Sequence, residues 1–214
     1  MSEKKTIITI GRQFGSAGRE IGNVVAKELG IKLYDKEMLT IAAKESGLSK
    51  EFFEKHDEKP TSSFLYSLVM DTYAMNYATN AFSDMPLNHK VFLAQYNAIK
   101  KIADEGSCIL VGRCADYALE DYSDCSKIFI HANLDARIHR IARIYDLTDA
   151  KAKDLIQKND KRRSAYYNYF SNKRWGDSES YDLSIDSSKL GIEGSARAII
   201  EYARIKEEVT KTTL

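Results

Sequence analysis

The sequence predicts an α/β fold with three layers, in which a parallel β-sheet is flanked by helices. Short apolar runs rich in β-branched residues alternate with longer segments that have helical spacing. The first of these runs, Thr6 to Ile10, continues directly into a loop with three glycines. The chain has 214 residues, enough to bury a full core as one domain.

The elements follow in order along the chain. We predict strands at 6–10, 31–35, 107–112, 127–132 and 181–186. We predict helices from about 17 to 29, then at 36–46, after 49, and at 88–105, 136–145, 151–169 and 192–209. In such sheets ligands bind beyond the carboxyl ends of the strands. This places residues 11–19, 35, 112–116 and 131–133 around one crevice.

Charge and composition exclude several classes of partner. Lys and Arg number 32 against 31 Asp and Glu, a net charge of +1, which gives no general affinity for nucleic acid or an anionic membrane. No apolar run approaches the roughly 18 residues of a membrane helix, and the N-terminus has no secretory signal. The three cysteines lack metal-type spacing and fit a reducing compartment. We therefore expect a cytoplasmic protein.

The glycine loop after the first strand is the main candidate site. Glycines permit positive φ and close approach of a ligand, and the following helix directs its free N–H groups and dipole at the loop. This arrangement favours a phosphate, and the plainer alternative is a tight turn without a ligand. The candidate binding residues are Gly11, Arg12, Gly15, Ser16, Ala17, Gly18 and Arg19.

The loop departs from the phosphate-binding pattern G-x-x-x-x-G-K-[ST]. If Gly18 is the second glycine, Gln13 occupies the first glycine position and Arg19 the lysine position. Glu20 then replaces the hydroxyl residue that would hold Mg²⁺. Arg19 keeps the positive charge and can bind two phosphate oxygens at once. Ser16 offers a hydroxyl from a different place.

Two charged residues at strand ends face the same predicted crevice. Arg113 follows a buried strand and a glycine, where it can clamp a second phosphate or pair with Asp116. Asp35 ends the second strand, where it can orient a substrate, bind a ribose hydroxyl or cap the next helix.

A basic and aromatic run at 160–169 contains Arg162 and Arg163. Arginines on a mobile segment can close over a phosphoryl group as its charge spreads, and the alternative is a solvated charged helix. Trp175 follows the run and either stacks on a base or packs in the core. The four histidines are scattered and predict neither a metal cluster nor a nucleophile–base pair, so no residue is assigned to a metal.

The segment from Pro60 to Pro86 differs in composition from its surroundings. It is rich in Tyr, Met, Ser and Asn, and its apolar residues have helical spacing. It is either an amphipathic helix packed on the main body, a cover over the substrate or a face that forms a homodimer.

Together these motifs resemble the cytidylate kinase-like branch of the P-loop nucleoside monophosphate kinases. The most specific match is Gly-Arg-Gln-Phe-Gly-Ser-Ala-Gly-Arg-Glu at 11–20. Further matches lie at 33–36, 109–116, 127–132, 159–163 and 181–186, so that the resemblance covers most of the chain. It is weakest at 51–85, where cytidylate kinases carry a different inserted substrate domain.

The resemblance implies a P-loop NTPase-like fold over 1–214, with an inserted helical segment at about 50–88 and a lid at about 151–178. It implies phosphoryl transfer from ATP with Mg²⁺ to a nucleoside monophosphate, with CMP or dCMP as the first candidates. By position, residues 15–19 cradle the donor phosphates, whereas Asp35, Arg113 and Asp116 face the acceptor. Arg162 and Arg163 match the lid arginines, and with Arg19 they are the candidate catalytic residues.

Two other functions are weighed against this kinase hypothesis. A non-catalytic nucleotide or phosphate sensor on the same fold would explain the missing lysine and hydroxyl. An NAD-dependent oxidoreductase would use Asp35, but the glycines do not form G-x-G-x-x-G in register.

Overall fold

A computed structural model describes residues 5–35, 87–112 and 114–212 of the chain. The chain divides into two units, Met1–Asp35 with Glu105–Leu214 and Lys36–Asp104. The first unit holds the sheet and the glycine loop. The predicted helices at 36–46 and after 49, and the whole segment 60–86, lie outside the described residues, as does Arg113.

The first unit contains a parallel 5-stranded sheet in the order β2-β3-β1-β4-β5. Its strands are β1 (Ile7–Arg12), β2 (Lys32–Tyr34), β3 (Cys108–Leu110), β4 (Cys125–His131) and β5 (Leu183–Asp186). The first strand is central, and Ile7 pairs with Cys108 on one side and Cys125 on the other. This arrangement confirms the predicted parallel α/β class.

Helices connect these strands in the described part of the chain. They are α1 (Gly18–Leu29), α2 (Leu87–Glu105), α3 (Ala115–Ala118), α4 (Leu134–Tyr145), α5 (Asp149–Ser171) and α6 (Ser187–Thr212), with a 3₁₀ turn at Ser178–Ser180. Most of α2 belongs to the second unit. None of the helices in the described ranges is both long and apolar enough to cross a bilayer.

The core of the first unit forms where α1 and α6 pack on the strands. Nearly every buried side chain there is β-branched or alanine, which suits strands covered by helices. The fully buried members with 0% exposure are Ile8, Ile10, Ile21, Val25, Ile109, Val111, Ile128, Ile130 and Ile199. A smaller cluster joins α4 and α5 through Ile141, Ala152 and Ile156, with Phe14 of the glycine loop packed against it.

Several element boundaries differ from the prediction by a few residues, and glycines mark two of these places. The first strand extends two residues beyond Ile10, because Gly11 and Arg12 still pair with Phe129 and Ile130. A Cβ at Gly11 would lie 3.0 Å from Phe129 Cδ2, so the glycine accommodates this ring. Within α6, Gly191 has the non-helical angles φ 66° and ψ −174°, so the predicted helix from Ile192 follows this kink and a short helical segment from Ser187 precedes it.

Several predicted ends agree closely with the structure. Gly30 ends α1 in the left-handed conformation, and its N–H donates to the carbonyls of the last turn. Asn133, one of two predicted caps for α4, accepts a hydrogen bond from the Ala136 N–H at 2.8 Å.

Candidate functional site

The glycine loop joins β1 to α1 through two residues in left-handed conformations. Gly15 has φ 85° and Ala17, the N-cap of α1, has φ 60°. Ala17 supplies no side-chain cap, and the first helical bond runs from the Ile21 N–H to the Ala17 carbonyl at 2.9 Å. The N–H groups at the start of α1 therefore have no acceptor within the helix and point at the loop. Such an end attracts an anion.

The loop is fastened to the carboxyl ends of the neighbouring strands. The Gln13 N–H donates to the Ile130 carbonyl at 3.0 Å, and Gln13 Oε1 accepts from the Ala132 N–H at 3.2 Å. The Ser16 hydroxyl is buried and lies within bonding distance of the Gln13 and Ile130 carbonyls, at 3.0 and 3.1 Å. Ser187 donates to the Ser16 carbonyl at 2.8 Å. The Ser16 hydroxyl donates toward the Gln13 and Ile130 carbonyls, so the side chain points into the protein. Ser16 therefore contributes to the loop surface through its backbone.

Asp35 lies between two arginines of the loop. Arg12 Nη2 lies 3.3 Å from Asp35 Oδ1, and Arg19 Nε lies 3.3 Å from Asp35 Oδ2. The Arg12 and Asp35 side chains are only 16% and 17% exposed, whereas Arg19 is 55% exposed. Gly18 makes room for this arrangement, since a Cβ there would lie 2.7 Å from Arg12 Cβ.

Two residues of α5 contact the loop from another direction. Asp160 Oδ1 accepts a hydrogen bond from the Phe14 N–H at 2.7 Å. One turn later, Arg163 Nη1 donates to the Arg12 carbonyl at 2.9 Å, and its guanidinium lies 5.6 Å from the centre of the Phe14 ring. The helix α5 therefore contacts the loop through two backbone groups, the Phe14 N–H and the Arg12 carbonyl.

Arg137 of α4 completes this contact. Its Nη1 lies 2.5 Å from Asp160 Oδ2 and 3.4 Å from the Phe14 carbonyl, and the residue is 8% exposed. The Arg137–Asp160 pair thus holds both ends of one loop residue. Neighbouring Arg140 pairs with Glu20, the residue in the expected hydroxyl position, at 2.7 Å.

Asp116 is buried and hydrogen-bonds to Tyr167 rather than to the charged residues of the loop. It is 3% exposed, and its Oδ2 accepts a hydrogen bond of 2.5 Å from the hydroxyl of Tyr167, a residue of α5 that is itself buried. Burial raises the pKa of Asp116, and the Tyr167 hydrogen bond opposes part of this rise. Burial and the nearby Asp116 charge also raise the pKa of Tyr167, which keeps the phenol protonated as a donor.

The structure brings together only some of the predicted site residues. Arg12, Arg19, Asp35 and Arg163 meet at the loop. Arg162 is exposed on α5 and has no bonded partner among the described residues. Asp116 contacts Tyr167 instead, and Arg113 lies outside the described part of the chain.

Sequence reasoning missed Arg137 and the role of Asp160. Asp160 is the first residue of the run at 160–169, whose predicted role concerned only its arginines and aromatic residues. Its spacing of three residues before Arg163 was the usable signal, since residues three apart share one face of a helix. Nothing in the sequence around Arg137 links it to residue 160.

The described residues at this site do not form a set of metal ligands. No group of three or more His, Cys, Asp or Glu in the described ranges is placed to hold a metal ion. Three carboxylates near the loop in the described ranges are engaged, Glu20 by Arg140, Asp35 by two arginines and Asp160 by Arg137. The described residues therefore fit the phosphates of a nucleotide but do not fit Mg²⁺, and we assign no ligands to this ion.

Comparison with known proteins identifies the family and the fold. The model of the cytidylate kinase-like family matches residues 7–189. An uncharacterized protein from Eubacterium ventriosum ATCC 27560 is 26% identical with a TM-score of 0.69, covering 94% of this chain and 99% of that one. No protein of curated function matches the sequence.

Two kinases share the fold at lower identity. Shikimate kinase from Bacteroides thetaiotaomicron has a TM-score of 0.52 at 12% identity, covering 94% of this chain and 99% of its own. A gluconokinase from Sinorhizobium meliloti 1021 has a TM-score of 0.50 at 11% identity, with 99% of both chains covered. These likenesses concern the fold alone. Because the family model spans most of the sequence, the chain belongs to the cytidylate kinase-like family.

Proposed function

We propose that the protein transfers the γ-phosphoryl group of ATP to a nucleoside monophosphate, with CMP or dCMP as the first candidates. Family membership supports a kinase with a small-molecule substrate. The observation that carries the proposal is the contact of α5 with the glycine loop, where Arg163 donates to the Arg12 carbonyl at 2.9 Å. This contact brings an arginine from the proposed lid, 151–178, to the place where phosphates would bind.

The loop would hold the donor phosphates mainly through backbone groups. The N–H groups of Gly18, Arg19 and Glu20 begin α1 and have no acceptor within the helix. The half-exposed guanidinium of Arg19 supplies the positive charge that a lysine provides in the standard pattern. When bound, ATP supplies the phosphoryl group and the anhydride bond that breaks.

The chain's own contribution would be positioning and charge stabilisation. Arg163, held against the loop backbone and the Phe14 ring, has a fixed place from which to attract the equatorial oxygens of a phosphoryl group. Arg162 on the adjacent position of α5 is exposed and adds positive charge. No covalent enzyme intermediate is needed for this class of reaction.

The acceptor side of the proposal rests on fewer contacts. Asp35 lies beside the loop arginines and Asp116 lies under Tyr167. Together with Arg113 they remain our proposed acceptor residues, by resemblance. A homodimer through the segment at about 50–88 and a cytoplasmic location also remain proposals.

A second candidate function is a nucleotide or phosphate sensor without turnover. The observations that favour it are the inward-facing hydroxyl of Ser16 and the pairing of Glu20 with Arg140. Neither oxygen is free to hold a metal at the loop. A sensor would bind nucleotide and would form no diphosphate product.

A product assay separates the two functions. Purified protein is incubated with ATP, Mg²⁺ and, in turn, CMP, dCMP, UMP, AMP or GMP, and products are resolved by chromatography against reactions lacking acceptor or protein. We expect conversion of one pyrimidine monophosphate. Absence of product with every acceptor, together with a thermal shift on adding ATP, would favour the sensor.

The matched variants are Arg163→Ala and Lys161→Ala. Lys161 is exposed on the same helix, two residues away. We expect Arg163→Ala to lower kcat by about 100-fold, as for loss of a group that stabilises transition-state charge, and Lys161→Ala to leave it unchanged. Equal rates for both variants would remove Arg163 from the active site.

A further inference from the structure

We infer that Asp35 is an internal competitor for phosphate, a carboxylate that occupies Arg12 and Arg19 and is exchanged for a phosphate group when a nucleotide binds. This inference rests on the proposed function only in taking the glycine loop as a phosphate site. It concerns how strongly that site binds and how many charges a ligand must carry.

The first step is the use of both carboxylate oxygens. Asp35 Oδ1 contacts Arg12 and Oδ2 contacts Arg19, so that one anion bridges two cations of the glycine loop. Carboxylate and phosphate accept from the same guanidinium donors, and a phosphate that bridges Arg12 and Arg19 would take the position that Asp35 occupies. The two anions therefore compete.

The second step is the looseness of the two contacts. Each N···O distance is 3.3 Å, longer than the 2.7–2.9 Å of a strong charge-assisted bond. The nearby Arg140–Glu20 pair, at 2.7 Å, is within this range. Arg19 is also 55% exposed and can turn toward a ligand without leaving a packed position. The Asp35 contacts are thus suited to exchange and the Glu20 contact is suited to persist.

The third step is the limited access of water to the competing groups. The Arg12 and Asp35 side chains are 16% and 17% exposed, so their charges are less screened than those of a surface pair. A ligand with one or two charges gains little by replacing this carboxylate. Pyrophosphate or a nucleoside triphosphate, with more charge at adjacent groups, gains more. Asp35 would in this way select polyphosphates over orthophosphate.

Binding of pyrophosphate tests the inference without requiring turnover. Isothermal titration calorimetry is performed with the full-length chain and its variants Asp35→Asn, Asp35→Ala and Glu20→Gln, each checked for a native melting transition. Glu20→Gln removes the same charge from the start of α1, but Glu20 pairs with Arg140 rather than with the loop arginines. It therefore controls for general electrostatic repulsion.

We expect Asp35→Asn and Asp35→Ala to bind pyrophosphate about tenfold more tightly than the unchanged protein, a free-energy gain of about 1.4 kcal/mol. The gain should exceed that of Glu20→Gln and should disappear when Arg19→Ala is added. Affinity that falls or stays constant in both Asp35 variants would overturn the inference, and so would an equal gain for Glu20→Gln.

The result is separable from that of the kinase assay. A gain in pyrophosphate affinity in a protein that forms no diphosphate product supports the competition and argues against the kinase. Product formation with no gain in affinity argues the reverse. If no variant binds pyrophosphate, the inference about Asp35 fails, and the kinase proposal is decided by the product assay alone.

Discussion

Asp160 accepts a hydrogen bond from the backbone N–H of Phe14 at 2.7 Å, across 146 positions of sequence. The second oxygen of the same carboxylate pairs with the buried Arg137, which also lies within hydrogen-bonding distance of the Phe14 carbonyl. The backbone N–H and C=O of one loop residue are therefore held by an acid from α5 and a base from α4. The conformation of the glycine loop depends on this pair as well as on its own glycines.

Removing the Asp160 carboxylate should destabilise the protein. Asp160→Ala leaves Arg137 without a counter-charge in a largely buried position, and we expect a loss of about 3 kcal/mol in the free energy of unfolding. Denaturant titration followed by circular dichroism measures this loss. Asp154→Ala, at an exposed site of the same helix, should change stability by less than about 0.5 kcal/mol.

A double variant separates this pair from independent effects. Arg137→Ala with Asp160→Ala removes both charges, so that neither is left buried alone. The loss should then be smaller than the sum of the two single losses. Strict additivity would show that the two side chains act separately.

Gly18→Ala should impair the site without unfolding the chain. The added Cβ would lie 2.7 Å from Arg12 Cβ and 2.9 Å from Arg12 Cγ, so Arg12 must leave its place beside Asp35. If the kinase proposal holds, we expect kcat/KM to fall by about 100-fold, as for a misplaced positioning group. Steady-state kinetics with the preferred acceptor measure this change.

Gly30→Ala is the contrasting glycine variant. Nothing lies within 4 Å of a Cβ at Gly30, but its φ of +64° is strained for alanine. We expect a stability loss of about 1 kcal/mol with unchanged kcat/KM. A kinetic defect equal to that of Gly18→Ala would show that the Gly18 effect is not local.

Arg19→Ala tests whether arginine replaces the lysine of the standard loop. Loss of its charge beside the start of α1 should lower kcat/KM for the kinase reaction by about 100-fold or more. Lys27→Ala, at an exposed position near the other end of the same helix, is the control and should retain full activity. Retention of activity by Arg19→Ala would assign the phosphate contact to another cation.

Asp116 predicts a particular dependence of stability on pH. Burial raises its folded-state pKa above the unfolded value, so the native state binds the proton more tightly than the unfolded state does. Its contribution to stability is therefore fully present below the unfolded pKa of about 3.9 and is lost as pH rises through the raised folded pKa. Asp116→Asn should remove this loss.

The measurement is the free energy of unfolding from pH 3 to pH 8 for the unchanged protein and for Asp116→Asn. We expect the variant to gain stability relative to the unchanged protein as pH increases. A difference that is constant over the range would show that Asp116 does not titrate differently in the folded and unfolded states.

The sequence was sufficient to predict the sheet and the loop because both depend on local patterns. β-branched runs marked the strands, and Gly30 and Asn133 marked helix ends that the structure confirms. Local patterns do not predict the contacts between residues of the site that are distant in sequence. The Arg12–Asp35 pair spans 23 residues and the Asp160–Phe14 bond spans 146, and both depend on how strands and helices are arranged in space.

The basic run at 160–169 shows the same limit on a smaller scale. Counting charge along the chain merged Asp160 with its basic neighbours, although it binds a backbone N–H and a buried arginine. The sequence likewise shows Tyr167 only as an aromatic residue in a charged helix, whereas in the fold its hydroxyl donates a hydrogen bond to Asp116. The spacing of apolar residues predicts the helix. It does not predict which residues the helix contacts, because these are distant in sequence.

Ile7 pairs with Cys108 on one side and Cys125 on the other, so two thiols lie at the amino end of the central strands, where their chemical modification can be followed. Burial raises the pKa of the Cys108 thiol and of the Cys125 thiol to about 12, so neither is a thiolate at neutral pH. These two residues begin the strands on either side of β1, whereas the glycine loop follows its opposite end. Cys108 and Cys125 are each 1% exposed, so alkylation of either sulfur requires a motion that brings the buried thiol into contact with solvent. The labelling rate would record how often this end of the sheet becomes exposed to solvent, and a nucleotide that binds the native state would slow the reaction.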